Sequence, residues 1–322
     1  MEDVIVLYPS PGRGHLISMV ELGKLILKLY PSFSVTIIVL STQNTNSAAT
    51  AQYAASSTAK YMAAVNATTP SITFLNLPPI SEVPSTPSPL ESLFLFPRLN
   101  NPNLHQTLQT ISQTSNLKAF IIDFFCDAAF EVAAKLNIPT YYFFTSSASG
   151  LVIFLYRPTL HKTIDKSLRD LNNMLLDIPG LPPILASDMP QTALDRDSKV
   201  YEYSLNTGIN MAKSNGLIVN TFDLLERKAI GAILDGLVVL VKELKVALTV
   251  KESEDGLVSA AELEKRVREL MDSEAGKEVR ERVSCMRDDA VAAVKEGGSS
   301  RVALAKLAEV WLTTTSSYTR RY

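Results

Sequence analysis

The sequence predicts an α/β protein, with a doubly wound, Rossmann-like parallel sheet over residues 1–236 and a mainly helical segment over residues 237–322. Two observations support this fold class. Short apolar runs alternate with stretches of helical periodicity through the first part, as expected when parallel strands are joined by helical crossovers. Past Gly236 strand signals become scarce, so a second complete α/β domain is not expected there.

The first strand and helix set the pattern. The run Val4-Ile5-Val6-Leu7-Tyr8 is apolar throughout and is followed by Pro9 and a glycine-containing turn. Such a run is typical of a strand that is buried on both faces of a parallel sheet. From Leu16 to Leu29 apolar residues recur at helical spacing, and Pro31 ends the pattern. These residues are therefore predicted to form a strand, a turn and a helix.

The same signals recur along the chain. They predict further strands at 34–40, 72–75, 117–122, 140–144 and 216–219, and helices at 48–65, 104–115 and 128–136. Strands separated by helices in this way are joined by right-handed crossovers in one sheet. Ligands of such sheets bind beyond the carboxyl ends of the strands. The residues that follow each strand are therefore the candidates for a functional site.

Two proline-rich stretches interrupt the alternation. Residues 78–103 contain seven prolines, and residues 178–183 read Ile-Pro-Gly-Leu-Pro-Pro. Proline and glycine at this density favour turns and irregular structure. We predict both stretches to be loops over the ligand edge of the sheet, because long loops in compact domains are often functional.

The segment after Gly236 has a different character. Residues 237–250 are predicted to be helical with one short strand, and a further helix begins at Ser259-Ala260-Ala261-Glu262, which has the spacing of a capping box. Helical patterns continue to Trp311. This part of the chain is predicted to form helices without a sheet of its own.

The composition excludes several classes of partner. The chain has 46% hydrophobic and 20% charged residues and a formal net charge of -2, whereas proteins that bind nucleic acids or anionic membranes usually concentrate Lys and Arg. A small neutral ligand is expected instead. The two cysteines, Cys126 and Cys285, are too few for a disulfide framework or a thiolate metal site. Without a signal-peptide pattern or a membrane-length apolar run, a cytoplasmic location is predicted.

Two chemistry-bearing residues follow predicted strands. His15 closes the glycine-rich turn after the first strand, and Asp123 ends the apolar run 119–122. Strands one and four can lie side by side at the switch point of such a sheet, which would pair a base with an orienting carboxylate. From the residues alone, a capping or packing role is favoured for His15, and Asp123 is as readily the cap of the following helix. His105 and His161 lie in polar helical surroundings and are interpreted as surface residues.

A nicotinamide-dependent oxidoreductase is the alternative that the same sheet suggests. The turn Gly12-Arg13-Gly14 lacks the third glycine of the dinucleotide fingerprint. No acidic residue follows the second strand in Ser41-Thr42-Gln43-Asn44, where such enzymes hold the ribose of the cofactor. The sequence therefore argues against a bound NAD.

Four motifs in order along the chain carry a resemblance to a known family. They are Ser10-Pro11-Gly12-Arg13-Gly14-His15 with Met19-Val20-Glu21-Leu22-Gly23-Lys24, then Ala119-Phe120-Ile121-Ile122-Asp123-Phe124-Phe125-Cys126, then Ile138-Pro139-Thr140-Tyr141-Tyr142-Phe143-Phe144-Thr145-Ser146, and Gly216-Leu217-Ile218-Val219-Asn220-Thr221-Phe222. With these motifs, residues 1 to about 236 resemble the plant family 1 UDP-sugar-dependent glycosyltransferases, especially those that act on flavonoid-type phenols. The resemblance implies a GT-B-like N-terminal domain that binds the sugar acceptor.

The resemblance also implies roles for individual residues. The histidine that matches His15 is the general base of the family, the aspartate that matches Asp123 orients it, and the residue that matches Thr145 lies near the donor sugar. Acceptor binding is implied for Gly14, Phe124, Leu93 and Phe96. The implied reaction is an inverting transfer of glucose from a UDP-sugar, a co-substrate, to a phenolic hydroxyl, with no metal or other cofactor.

The resemblance is interrupted after Gly236. Family members carry there most of a second Rossmann-like domain, with a donor-binding box that includes Trp-Ala-Pro-Gln and His-Cys-Gly-Trp-Asn-Ser. Neither sequence occurs in this chain, although residues 258–271 and 297–300 resemble the last helices of the family. We therefore expect residues 237–322 to be a helical remnant of the donor-binding domain, and the protein to be inactive or strongly impaired.

Three expectations about partners follow from the missing donor box. The chain should bind a phenolic aglycone, and should bind UDP-sugar weakly or not at all. The alternative function is a non-catalytic aglycone-binding or regulatory partner of intact glycosyltransferases. Because the loss of a domain exposes the surface it covered, self-association through apolar C-terminal helices is also expected.

Overall fold

A six-stranded parallel sheet forms the centre of the molecule in the computed structural model, which describes residues 1–40, 48–80, 84, 86, 88–171, 173–234 and 258–313. In chain order the strands are β1 Asp3–Tyr8, β2 Ser34–Val39, β3 Ile72–Asn76, β4 Asn116–Asp123, β5 Thr140–Phe144, β6 Leu175–Leu176, β7 Ile184–Leu185 and β8 Gly216–Val219. The sheet order is β3-β2-β1-β4-β5-β8, and β6 and β7 form a separate antiparallel pair. This order confirms the predicted doubly wound α/β fold.

Helices lie on both faces of the sheet. The described helices of the chain are α1 Arg13–Leu29, α2 Ala48–Thr68, α3 Pro89–Leu99, α4 Asn101–Thr114, α5 Ala129–Lys135, α6 Ala148–Thr163, α7 Gln191–Leu194, α8 Lys199–Met211, α9 Arg227–Leu234, α10 Ala260–Asp272, α11 Glu274–Ala293 and α12 Ser299–Thr313. Successive side chains of a strand point to opposite faces, so each central strand contributes to two apolar cores. In β4, Phe120 and Ile122 pack on the side of α4, α5 and α6, whereas Ala119 and Ile121 pack on the side of α1 and α12.

The switch point of the sheet lies between β1 and β4. The two strands are paired in parallel up to Tyr8 opposite Ile122. The turn after β1 and the residue after Ile122 are therefore at the same edge, where the crossovers to β2 and β5 leave in opposite directions. This is the position where open α/β sheets bind their ligands.

Part of the predicted loop 78–103 is instead helical. Residues 89–99 form α3, and α4 begins at Asn101. The Ser88 side chain caps α3 by accepting a hydrogen bond from the Leu90 amide at 3.2 Å, and Pro89 lies in the first turn, where a helix tolerates proline. The prediction was wrong here because prolines that start helices were interpreted as turn residues. As a consequence, Leu93 and Phe96 lie on a helix.

The second proline-rich stretch does form a turn. Residues 178–183 connect β6 to β7, and Gly180 has φ of +81°. A Cβ atom at Gly180 would lie 2.5 Å from the Cβ of Ala232 in α9, so only glycine allows this approach. The turn is thereby packed against α9 and is not free over the ligand edge.

The helix α12 packs against the sheet built by the first half of the chain. Trp311 is 0% exposed, and its ring lies 6.4 Å from that of Phe33 and 5.8 Å from that of Tyr141. The Tyr30 hydroxyl also donates to the Ala305 carbonyl at 3.3 Å. Residues 258–313 are helical, as predicted; the short strand predicted within 237–250 lies outside the described residues. The division into two units at residue 236 stays a prediction.

Candidate active site

His15 and Asp123 meet at the switch point. His15 lies in the first turn of α1, and its Nδ1 is 2.7 Å from Oδ2 of Asp123, the last residue of β4. The turn before α1 depends on Gly12, whose φ of +136° is unfavourable for other residues. The Asp123 side chain is fully buried, whereas that of His15 is 25% exposed. The predicted hydrogen bond between the two residues is confirmed, and the His15 side chain remains partly exposed.

Asp123 also caps the short 3₁₀ helix that follows it. Its Oδ1 accepts a hydrogen bond from the Phe125 amide at 3.1 Å. One oxygen thus makes the contact that an orienting carboxylate needs and the other makes that of a helix cap, while the orienting role itself stays a prediction. With both oxygens engaged, the carboxylate has a single orientation toward His15.

The pairing changes the basicity of the imidazole. Burial of the ring on its own lowers the pKa of His15, but the hydrogen bond and the negative charge of Asp123 outweigh it, so that the pKa is raised from its ordinary 6.5. Among the described residues, the hydrogen bonds to this ring all go to Nδ1. When Nδ1–H donates to Asp123, Nε2 carries the lone pair and can accept a proton from a ligand.

Thr145 completes the contacts of Nδ1. It follows β5, and its Oγ1 lies 3.3 Å from His15 Nδ1. Strand β5 pairs with β4 in parallel register, with Asp123 opposite Phe143, which brings the end of β5 next to Asp123. The residue for which donor-sugar binding is implied therefore lies beside the imidazole.

Aromatic side chains surround His15. The ring of Phe125 lies 5.6 Å from the imidazole in an edge-on arrangement, and that of Phe124 lies 6.0 Å away. Phe94 of α3 contacts Phe125 at 4.8 Å and Tyr203 of α8 at 5.9 Å. Sequence analysis did not single out Phe125 or Tyr203, and it included Phe94 only as part of the stretch 78–103 predicted to lie over the ligand edge.

The four predicted acceptor residues differ in their burial and in whether they contact His15. Phe124 is buried and packs on Phe144 and Phe154 at 4.8 and 5.5 Å. Leu93 and Phe96 are half-buried, and Phe96 packs against the core on the α4 side. Gly14 is exposed, and a Cβ atom there would have no neighbour within 4 Å. Of these four residues, Phe124 alone has a ring contact with His15 among the described contacts, and the acceptor roles of all four stay predictions.

A cavity of about 750 Å³ lies beside β8. It is lined mainly by apolar residues of α1, β8, α9 and α12, with Glu21, Asn220 and Asp223 among the polar groups. His15 and Thr145 are not among its lining residues. The imidazole therefore does not line this cavity, although Ile17 and Ser18 of the same helix do.

The other two histidines do not join the site. His161 is half-buried, and its Nδ1 lies 3.0 Å from the Tyr201 hydroxyl. Burial and the charge of Arg196 lower the pKa of His161. His105 is half-buried on α4. The interpretation of both as surface residues was therefore too simple, since neither is fully exposed.

The described part of the chain has two further properties. It contains no group of three or more His, Cys, Asp or Glu side chains placed to hold a metal ion. Over the same residues, no helix combines the length and the apolar character needed to cross a membrane.

The chain is similar to known plant enzymes, although no protein-family model matches it. It is 36% identical over 471 residues to an anthocyanidin 5,3-O-glucosyltransferase from a Rosa hybrid cultivar, in an alignment that covers 96% of this chain and 99% of the rose protein. It is 48% identical over 233 residues to UDP-glycosyltransferase 88B1 of Stevia rebaudiana, which covers 72% of this chain and 48% of that protein. Because the rose alignment spans 471 residues and this chain has 322, the rose protein carries internal residues that this chain lacks.

The fold is shared with a solved structure. Phytolacca americana UGT2, complexed with UDP-2fluoro-glucose and pterostilbene, superposes with a TM-score of 0.81 and 22% sequence identity. The match covers 97% of this chain and 100% of that one. At this identity the likeness concerns the fold alone.

Proposed function

Because this chain belongs to the plant family 1 UDP-glycosyltransferases, we propose that residues 1–236 form its acceptor-binding domain and that His15 is the general base for transfer of glucose to a phenolic or flavonoid hydroxyl. The observation that carries the proposal is the 2.7 Å contact between His15 and the buried Asp123 at the ligand edge of the sheet. The rose relative is a glucosyltransferase of anthocyanidins, which are flavonoid-type phenols.

The chemistry of the acceptor explains why a histidine is paired with an aspartate here. A phenol has a pKa of about 10 and is a poor nucleophile at neutral pH until a base removes its proton. Nε2 of His15 takes this proton as the phenolic oxygen attacks the anomeric carbon of the sugar, and UDP leaves from the opposite face. Asp123 stabilises the imidazolium that forms and keeps the proton of the neutral ring on Nδ1. Proton removal by an imidazole requires no metal.

The surrounding rings fit a flat aromatic acceptor. Phe124 and Phe125 lie against the imidazole and form an aromatic surface, which the buried Phe94 supports by packing on Phe125 and Tyr203. Flat aglycones gain both apolar burial and ring contacts on such a surface. We propose Phe124 and Phe125 as acceptor contacts next to the reacting hydroxyl, and Thr145 as a contact of the donor sugar.

The donor side is where we expect the activity to fail. The sequence contains no donor-binding box, so no group is assigned to stabilise the departing UDP, and stabilisation of developing charge is usually a large part of enzymatic rate enhancement. We propose that the protein binds an aglycone and transfers glucose slowly or not at all by itself. An aglycone-binding or regulatory partner of intact glycosyltransferases is the second candidate, and the presence of the His15–Asp123 contact without the donor box supports it.

Transfer of radiolabelled glucose from UDP-glucose to quercetin tests the proposal. The chain alone should give no more product than His15→Ala, whereas addition of a separately expressed donor-binding half of an intact relative should restore transfer that depends on His15. Rapid, His15-dependent transfer by the chain alone would contradict the expected impairment. If complementation restores nothing although quercetin binds, the second candidate is favoured.

Equilibrium titration with quercetin tests the acceptor site separately. Phe125→Ala should weaken binding, because it removes the ring nearest to the imidazole. Phe74→Ala, which removes a half-buried ring of β3, is the matched control and should leave the affinity unchanged. Equal affinities of Phe125→Ala and the unchanged chain would place the aglycone elsewhere.

Self-association is a further part of the proposal. Leu263, Val267 and Met271 lie one turn apart on α10 and are all exposed. An apolar stripe of this kind favours association. Sedimentation velocity of the chain and of Leu263→Lys compares their association, and a monomeric chain at all concentrations would rule this part out.

A further inference from the structure

We propose that Glu226 is a positioning residue for the site: its carboxylate fixes the first turn of α6 and thereby holds Thr145 beside Nδ1 of His15. The inference rests on the proposed role of His15 as the base. It concerns a residue 81 positions from Thr145 in the sequence, in the segment that connects β8 to α9.

The carboxylate of Glu226 accepts four hydrogen bonds. The amides of Ala148 and Ser149 donate at 2.7 and 2.9 Å, the Ser149 hydroxyl donates at 2.7 Å, and the Thr221 hydroxyl donates at 2.7 Å. Amides in the first turn of a helix have no partner within the helix. Glu226 therefore supplies, from a distant part of the chain, acceptors for two amides at the start of α6, while Ser147 accepts from the Gly150 amide at 3.1 Å.

The electrostatics agree with an ionised side chain. Burial on its own raises the pKa of Glu226, but the hydrogen bonds from Ser149, Thr221 and Ala148 outweigh it and lower the pKa from its ordinary 4.5. At neutral pH a negative charge therefore lies at the N-terminus of α6, where the helix dipole stabilises it.

Thr145 lies in a short span between two fixed points. On one side, Phe144 is the last residue of β5, and its carbonyl accepts a hydrogen bond from the Asn220 amide at 3.1 Å. On the other side, Ala148 is held by Glu226. Three residues, 145–147, join these points, so the place of Thr145 relative to His15 depends on both. The Thr221 hydroxyl links the same carboxylate back to the end of β8.

Three variants of the full chain test the inference without an activity assay. In Glu226→Gln, the amide group that replaces one carboxylate oxygen meets donors, so that at least one helix amide loses its acceptor. Hydrogen exchange of the Ala148 and Ser149 amides should become about tenfold faster or more, since a hydrogen bond to a charged group is lost. Glu202→Gln changes an exposed glutamate in the first turn of α8 and should alter neither amide. Thr145→Val removes the hydroxyl beside His15.

The decisive readout is the ¹⁵N NMR titration of the His15 ring. Glu226→Gln should shift the ring titration in the same direction as Thr145→Val, because both remove the Thr145 oxygen from Nδ1. In the double variant the two effects should not add, since one acts through the other. Additive effects, or a His15 titration unchanged in Glu226→Gln, would overturn the inference.

A weaker variant covers the case in which Glu226→Gln does not fold. Thr221→Val removes one of the four donors and leaves the charge in place, so it should shift the His15 titration in the same direction by a smaller amount. No shift in Thr221→Val together with faster exchange at Ala148 would limit Glu226 to a helix-capping role and overturn the inference. Because these readouts follow the imidazole, they remain valid whether or not the chain transfers glucose.

Discussion

Asp123 serves two neighbours, and this fixes the chemistry of His15. One oxygen accepts from the Phe125 amide and the other faces Nδ1 at 2.7 Å. An asparagine in this place has only one oxygen, and if that oxygen keeps the Phe125 amide, an NH₂ group faces Nδ1. The ring would then carry its proton on Nε2, where the base needs a lone pair.

Asp123→Asn should therefore lower the pKa of His15 and move the proton of the neutral ring to Nε2. A group whose pKa is raised on folding contributes stability that is fully present below its unfolded pKa of about 6.5 and is lost as the pH rises through the folded value. The variant should thus lose more stability at pH 5.5, on the order of 1–3 kcal/mol for a charged hydrogen bond, than at pH 9. Urea unfolding at both pH values measures this.

The exposed Asp188 provides the control for that experiment. Asp188→Asn should have the same stability as the unchanged chain at both pH values. A loss in Asp123→Asn that is independent of pH would mean that only the cap on Phe125 matters.

The sequence predicted the residues of the site unevenly. His15 and Asp123 could be predicted because His15 lies in the turn and helix start after one apolar strand and Asp123 ends another, and parallel strands end at one edge. The contacts of Phe94, Tyr203 and Glu226 could not be predicted. They depend on how α3, α8 and the segment before α9 pack against distant parts of the chain, which local patterns do not contain.

At the scale of elements, α3 shows where composition misleads. The helix begins with Ser88 as cap and Pro89 in the first turn, and it contains Pro97 in its last turn. The strands were predicted more closely: the run Val4–Tyr8 lies within β1, and residues 140–144 are β5. Buried strands are recognisable because every residue is apolar, whereas the effect of a proline depends on its position relative to the start of a helix.

Ser88→Ala should destabilise the protein by about 1 kcal/mol, because the Leu90 amide loses its capping acceptor. It should also weaken quercetin binding, since Phe94 is carried by α3 next to Phe125. Thermal unfolding and titration measure the two effects.

Thr110→Ala is the matched substitution on α4. Thr110 is exposed and its hydroxyl donates to the Gln106 carbonyl one turn before it, so alanine should be nearly neutral there. If the two variants unfold alike, the Ser88 cap contributes nothing to α3.

At the scale of the whole molecule, α12, at the C-terminal end of the described residues, packs on the sheet that begins at the N-terminus. Leu304, Ala308 and Trp311 belong to the same core as Ile5, Leu7 and Tyr141. The helix thus packs on the sheet of the acceptor side, although the sequence resemblance places it among the last helices of the donor half. No local pattern indicated this contact, because it connects residues far apart in the chain.

Trp311→Ala should cost about 3–5 kcal/mol, the usual range for a large aromatic side chain removed from a core. Its neighbour Leu312 is 45% exposed, and Leu312→Ala should cost far less. Urea unfolding compares the two variants. Equal small losses would show that α12 does not stabilise the sheet.

The same contact has a consequence for biosynthesis. Phe33 and Tyr141 leave the ribosome long before Trp311, which lies between their rings in the finished protein. The part of the central sheet that α12 covers therefore stays exposed until late in translation, and uncovered apolar surface on a nascent chain is a target for chaperones and for aggregation. A ribosome-bound chain arrested before residue 299 should bind chaperones more strongly than one arrested with α12 fully outside the exit tunnel.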